Sequence, residues 1–420
     1  MTGLRRTRLK GWLEFTREHC SICGKTGGCM INEKGDTIVC IRVESNIVFS
    51  KTFQSWVHKL SDTKEIKVIK NNVHERTKAP IWTLDKFFRL LNKELNLFDN
   101  HVVHLLEKRG MSTEEINIRQ YKSFPKNTNQ IATEMIDKIP NFDKLDLGIP
   151  GFYKKDGKWF INGGEGILVP YRNEENEIIG YQIRVDQVKN FVTVDNKHKS
   201  DFKAFVYKQP NIVRVVNEDG ELILEKEFKL KEEMYIETKE GDESCSIKLQ
   251  SGQRYYWLSS ANKNEGCGAG DPAPYHVAVT SDKLNEWEVR KKNESTSTLL
   301  KTEAAWITEG AIKGDIAIEQ LQKALGTNLK TFGDVVLAIP GVNSWRVLLP
   351  VIKRMEIKRI NLAFDIDSME NELVARQLKD CIVEVKKMGI EVYLAVWNQK
   401  DGKGIDDVLL NRKIPILKKI

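Results

Sequence analysis

From Ala304 to Leu410, short and wholly apolar segments alternate with longer segments whose apolar residues recur at helical spacing. The apolar segments are Ala304–Thr308, Val335–Ile339, Ile360–Phe364 and Val392–Trp397. Between them lie Ala311–Leu325, Ser344–Met355 and Glu370–Met388, the last ended by Gly389. A strand that is apolar on both faces must be covered on both, and intervening helices supply that cover. The pattern therefore predicts an α/β domain with a parallel sheet across residues 301–420.

In an open sheet of this kind the carboxyl ends of the strands line the ligand crevice. Acidic residues stand at three such ends: Glu309 before Gly310, Asp365 and Asp367 after Phe364, and Asp406 and Asp407 in Lys403-Gly404-Ile405-Asp406-Asp407. Side chains alternate along a strand, so Asp365 and Asp367 share a face if the strand runs through them. Convergent carboxylates suit a hard divalent cation such as Mg2+ or Mn2+, which takes oxygen ligands and keeps waters that phosphate oxygens replace. Such ions stabilise the attacking and leaving oxygens of phosphoryl transfer. Glu309 is then a further ligand or a general base. Lys313 and Lys403, close to these acids in sequence, are candidate nucleotide-binding residues.

The cysteines are the second constraint. Four of the seven, Cys20, Cys23, Cys29 and Cys40, fall within 21 residues, whereas Cys245, Cys267 and Cys381 are scattered. A hairpin turning at Lys34-Gly35-Asp36 returns Cys40 beside Cys29, and four thiolates then form a closed, structural zinc site. His19 is the alternative fourth ligand. A module of residues 1–60 is too small to fold well without its metal. It carries 10 Lys or Arg against 5 Asp or Glu, most of the chain's net +7, which hints at a polyanionic partner. No apolar run is long enough to span a membrane, and the basic start lacks the apolar core of a secretory signal. A cytoplasmic protein without a membrane partner is expected.

Between the modules, residues 61–79 read as a linker and 82–140 as a helical segment, with a capping box at Ser112 and Glu115. Residues 141–300 read as a β-rich basic lobe. It holds strands at 167–172 and 178–184, a hairpin around Asp219-Gly220, and a charged, irregular insertion from Asp186 to about Arg254. No Gly-x4-Gly-Lys-Ser/Thr loop occurs, which counts against an attached ATPase.

Ile307-Thr308-Glu309-Gly310, Phe364-Asp365-Ile366-Asp367 and Lys403-Gly404-Ile405-Asp406-Asp407 resemble the three motifs of the TOPRIM fold. That fold is shared by DnaG-type primases, topoisomerases, OLD-type nucleases and recombination mediators. Ala311-Ile312-Lys313-Gly314-Asp315 resembles the primase version, in which a helix follows the Glu-Gly directly. The resemblance implies Glu309 as acid or base and Asp365 and Asp367 as magnesium ligands. Primases usually carry Lys-Asp-Pro-Asp in the third motif, so Asp406 and Asp407 both stay in the candidate set.

The cysteine module is similar to the zinc ribbon that precedes the primase core. Gly180-Tyr181-Gln182-Ile183-Arg184 and Tyr255-Tyr256-Trp257-Leu258-Ser259-Ser260 stand in the order of the primase lobe. By this resemblance Arg42, Arg184 and Arg254 contact template or nucleotide, and Tyr256 and Trp257 offer stacking surfaces.

The fold class implied is α+β and multidomain: zinc ribbon, helical segment, β-rich lobe and a Rossmann-like TOPRIM domain. The implied function is that of a primase, making primers on single-stranded DNA from nucleoside triphosphates with Mg2+ or Mn2+. The short chain suggests a plasmid, phage or transposon protein with a separate helicase. The alternatives are a metal-dependent nuclease and a non-catalytic DNA-binding accessory.

Overall fold

The computed structural model describes residues 4–7, 9, 11–15, 18–25, 27–50, 55–61, 74–139, 147–195, 202–217, 219–237, 244–270, 273–292, 298–366 and 372–420. The chain divides into two compact units, Met1–Asn72 with Gln187–Arg254, and Val73–Asp186 with Tyr255–Ile420.

In the first unit the amino-terminal module is a six-stranded antiparallel sheet. Strands Met30–Asn32 and Thr37–Cys40 form the hairpin, turning at Gly35. Leu4, Leu13, Phe15, Ile31 and Ile38 form a small core that includes Cys20, Cys29 and Cys40. Residues 191–250 carry two three-stranded antiparallel sheets around Phe202, Val213, Val215, Phe228, Ile247 and Leu249. The segment that reads as irregular is thus regular β structure. In Lys203-Ala204-Phe205-Val206, Ala204 and Val206 face the core while Lys203 and Phe205 are exposed, so charged outer positions dominate its composition.

In the second unit, helix Ile81–Glu94 packs with Thr128–Asp137 onto the strand hairpin 166–185. Helix Asp99–Val103 runs on through one π-helical turn, His104–Lys108, to Gly110 at φ +61°. Helix Thr113–Arg119 opens with the predicted capping box, Ser112 and Glu115 bonding each other's backbone N–H at 3.1 and 2.9 Å. Strand Gly166–Arg172 is buried throughout.

The carboxyl-terminal sheet contains β1 (His276–Ala278), β2 (Ala304–Glu309), β3 (Val336–Ile339), β4 (Arg359–Leu362), β5 (Glu391–Val396) and β6 (Ile416–Lys419), in the order β1-β3-β2-β4-β5-β6. The four inner strands are parallel, and the two edge strands are antiparallel to their neighbours. Strand β1 lies in the stretch assigned to the β-rich lobe but belongs to this sheet. At three residues, it is too short to announce itself.

Helices α1 (Ala311–Leu325), α2 (Glu372–Lys387) and α3 (Ile405–Leu410) accompany the sheet. One core holds Ile307, Leu337, Ile339, Trp345, Ile360, Leu362 and Val392; a second holds Trp306, Ala317, Ile318, Leu321, Val336 and Ala363. Adjacent strand residues such as Trp306 and Ile307 serve different cores, so both faces are covered.

Gly314 lets α1 lie close against β3, because a Cβ there would stand 3.1 Å from the Ala338 Cβ and 3.5 Å from the Val336 Cγ1. Gly314→Val should therefore cost about 1–3 kcal/mol despite its added helix constraint, through overpacking. Equilibrium urea unfolding of the two proteins measures the difference.

Candidate functional site

Helix α1 is fixed by a buried charge network. Arg119 donates to Glu319 Oε1 at 2.5 Å and lies 3.5 Å from Asp315 Oδ1. The Tyr121 hydroxyl donates to Asp315 Oδ2 at 2.5 Å. His276 Nδ1 accepts from the Arg172 backbone N–H at 3.0 Å, which leaves the proton on Nε2 to be donated to Asp315 Oδ1 at 3.1 Å. Burial opposes ionisation of Asp315, but Arg119, His276 and Tyr121 outweigh it and hold the carboxyl at about 2. Asp315 is thus an anchor of the helix that carries Lys313.

Glu309 ends β2, and Gly310 follows at φ +82° with its N–H bonded to Ile339 O at 2.8 Å. Strand β4 stops at Leu362 and a helical turn begins at Ile366, so strand geometry does not continue through Asp365. The same-face argument for Asp365 and Asp367 lapses there, and Asp367 lies outside the described residues. The segment after β4 is tied instead to its neighbours. Thr308 Oγ1 donates to Ala363 O at 2.9 Å, Ala363 N to Ile307 O at 2.8 Å, and Ile366 N to Lys403 O at 3.2 Å.

Asp365 and Asp406 are both buried, at 9% and 2% exposure. Gly404 is where they meet. A Cβ there would stand 2.7 Å from Asp406 Oδ1, 2.9 Å from Asp365 Oδ1 and 3.2 Å from Lys313 Nζ. Lys313 Nζ donates to both Asp365 oxygens at 2.5 and 2.6 Å, and the largely exposed Lys403 ammonium is 3.9 Å from Asp365 Oδ2. Asp407 is exposed, and its Oδ2 accepts from the Gly404 N–H at 3.4 Å at the start of α3. The adjacent acids therefore differ: Asp407 caps a helix, and Asp406 points inward.

One further residue that sequence reasoning did not select borders Asp406. Arg109 Nη1 lies 3.6 Å from Asp406 Oδ2. It is placed by Gly110, which packs against Leu410 of α3 so closely that a Cβ would fall 2.6 Å from Leu410 Cδ2. His104, in the π-helical turn, is held neutral at about 4 by burial and by the positive charges of Arg184 and Arg109. Among the described residues, Asp406 Oδ1, Arg109 Nε and His104 Nε2 are buried atoms without a hydrogen-bond partner. Burial raises the Asp406 carboxyl above its ordinary range, with Lys313 opposing and Asp407 adding to the shift. An orphaned buried carboxylate oxygen beside a second carboxylate, in a hard-oxygen donor set, fits Mg2+ or Mn2+.

Of the other basic candidates, Arg184 lies on strand Ile178–Val185, paired with Tyr255, and Arg254 is the exposed residue just before that partner. Tyr256 is 44% exposed, whereas Trp257 packs edge-on against buried Tyr171 at 4.7 Å between ring centroids.

The cysteines do converge. The four sulfurs of Cys20, Cys23, Cys29 and Cys40 lie within 4.8 Å of one another, and among the described residues theirs is the sole group of three or more potential ligands close enough to share one ion. Cys23–Cys29 and Cys29–Cys40 separations are 3.6 and 3.7 Å. Tetrahedral zinc–thiolate bonds of about 2.3 Å imply edges of about 3.8 Å, so the cluster fits that ion. Arg42 turns onto it. Its Nη1 lies 3.4 Å from Cys29 Sγ and 3.7 Å from Cys23 Sγ, and its Nη2 donates to Gly27 O at 3.0 Å. The Arg42 and Val43 backbone N–H groups donate to Cys40 Sγ at 3.4 and 3.3 Å.

Residues 301–415 match a family model described as a domain of unknown function, DUF3854. No curated protein matches the chain. Among solved structures, the chain is similar to the DnaG primase catalytic domain bound to single-stranded DNA, at 11% identity and TM-score 0.40, covering 80% of each chain. It is also similar to the zinc-binding and RNA polymerase domains of the Aquifex aeolicus primase, at 10% identity and TM-score 0.42, covering 100% of this chain and 81% of that one. A third such structure is the RNA polymerase domain of Mycobacterium tuberculosis primase DnaG, at 11% identity and TM-score 0.42, covering 78% and 79%.

Two outcomes are expected. The folded-state value of His104, about 4, lies below its ordinary 6.5, so between these the unfolded chain holds a proton that the folded chain does not. Stability from neutral His104 is full above the upper value and is lost as pH falls through the window. Thermal melts of His104→Gln should show a shallower acid loss than wild type across that window. The cysteine cluster should take up one Co2+ per chain with thiolate charge-transfer absorption, and Cys29→Ser should abolish that band.

Proposed function

We propose that the chain is a primase-like nucleotidyltransferase with a TOPRIM-type catalytic domain, making primers on single-stranded DNA from nucleoside triphosphates. The observation that carries this reading is the convergence beside Gly404. Two buried acids, Asp365 and Asp406, meet Lys313 there, with Arg109 against Asp406, at the carboxyl ends of parallel strands. Anionic ligands need cations, metal ions need carboxylates, and phosphoryl transfer needs both at once.

In this reading Asp365 and Asp406 hold Mg2+ or Mn2+, with Glu309 as a further ligand or proton acceptor. The bound ion would neutralise charge on the triphosphate and favour ionisation of the attacking 3′-hydroxyl. Arg109, Lys403 and Lys313 attract and orient phosphate groups, and Arg184 and Arg254 contribute to binding template. The closed cysteine site would hold structural zinc, with Arg42 serving the sulfurs.

The test is primer synthesis on single-stranded DNA with labelled nucleotides and Mg2+ or Mn2+. Asp365→Asn and Asp406→Asn should each lower synthesis by about a hundredfold or more, the several kcal/mol expected of a lost metal ligand. Asp407→Asn should stay within about fivefold of wild type, since a helix cap contributes about 1 kcal/mol. Strand cleavage without synthesis would replace the proposal with a nuclease. Neither activity would replace it with a DNA-binding accessory.

A further inference from the structure

Lys313 sits against local preference. It lies in the first turn of α1, where the amino end of the helix disfavours a cation. The compensation is Asp365, whose two oxygens receive its ammonium at 2.5 and 2.6 Å. The same ammonium borders the space beside Gly404 that Asp365 Oδ1 and Asp406 Oδ1 also face. Asp406 is 2% exposed, and its Oδ1 is without a hydrogen-bond partner among the described residues.

A buried anion of this kind requires a cation nearby. Lys313 brings one charge and spends its donors on Asp365. A divalent ion brings two charges and can be shared by both acids. The two cations therefore compete for Asp365 Oδ1.

We propose that Lys313 is the resident counter-cation of this site, holding Asp365 while no divalent ion is bound and releasing it when one enters. This rests on the reading of Asp365 and Asp406 as metal ligands. The exchange weakens metal binding by the strength of the Lys313–Asp365 pair. It also leaves a flexible ammonium free beside whatever phosphate accompanies the metal, which a compact, strongly hydrated charge on a long stem suits. Metal and phosphate then favour each other's binding, because each relieves Lys313 of Asp365 or gives it a new partner.

The experiment is Mn2+ titration of the full chain, followed by the paramagnetic resonance signal of the free ion. Lys313→Met should bind Mn2+ about tenfold more tightly than wild type, equivalent to ~1.4 kcal/mol. Lys313→Gln is read in the same way if the methionine variant does not fold, as judged by circular dichroism. Lys403→Met should change affinity by less than about threefold, as a screened surface pair does. Asp365→Asn should lose the tight site. Equal or weaker binding by the Lys313 variants, with Asp365→Asn still losing the site, overturns the counter-cation role and leaves the metal site standing. Equal tightening by Lys403→Met overturns it too, since the effect would then be general electrostatics. Absence of Mn2+ binding in every variant at millimolar ion overturns both.

Discussion

Burial of Asp315 is the constraint on which the second unit depends. A lone carboxylate so deep would not stay ionised. It does so because Arg119, Tyr121 and His276 all reach it. Arg119 and Tyr121 lie at the end of the helical segment and just after it, His276 is on the edge strand β1, and Asp315 itself belongs to α1. One charge thus ties two separate parts of the sequence to the helix that begins immediately after Glu309-Gly310. Loss of Arg119 would leave an uncompensated charge, and loss of Tyr121 or His276 a buried acceptor without its donor.

The site above that anchor follows the opposite rule, because its charges are not all satisfied. Among the described residues, Asp406 has an orphaned oxygen, Arg109 an orphaned Nε and His104 an orphaned Nε2. Folding tolerates such groups where surrounding structure over-determines their positions. Here Gly110 against Leu410 fixes Arg109, and Thr308 and Lys403 fix the turn that carries Asp365. On the proposed reading, these groups, held apart from their ideal partners, are preorganised for ligands that bring the missing charge.

The sequence was most legible where burial imposes a period. The parallel strands β2 to β5 and helix α1 lie where continuous apolar runs and helical spacing put them. The capping box at Ser112 was readable because two local hydrogen bonds define it. Edge strands β1 and β6 were not, since β1 spans only three residues and β6 is mostly exposed. The sandwich of residues 191–250 was obscured by charged residues on its solvent faces.

The acids divide in the same way. That some of them gather at strand ends follows from the α/β pattern, but Asp406 and Asp407 look equivalent in sequence. Only the phase of α3 turns one inward and leaves the other to cap the helix. Arg109 and His104 carried no signal at all. Their places come from a π-helical turn and a glycine corner, features that depend on tertiary packing. Arg42 shows the converse. A basic residue next to a metal knuckle reads as a contact for polyanions, yet its planar fork donates to Gly27 O and toward the Cys23 and Cys29 sulfurs. Four thiolates around a divalent ion carry a net charge of about −2, so N–H donors aimed at sulfur are stabilised by the cluster they stabilise in turn. On the proposed reading, the chain would separate two kinds of metal chemistry by ligand softness: sulfur ligands would close off one ion in the amino-terminal module, while oxygen ligands in the carboxyl-terminal domain would keep a position that an exchangeable ion and a phosphate could share.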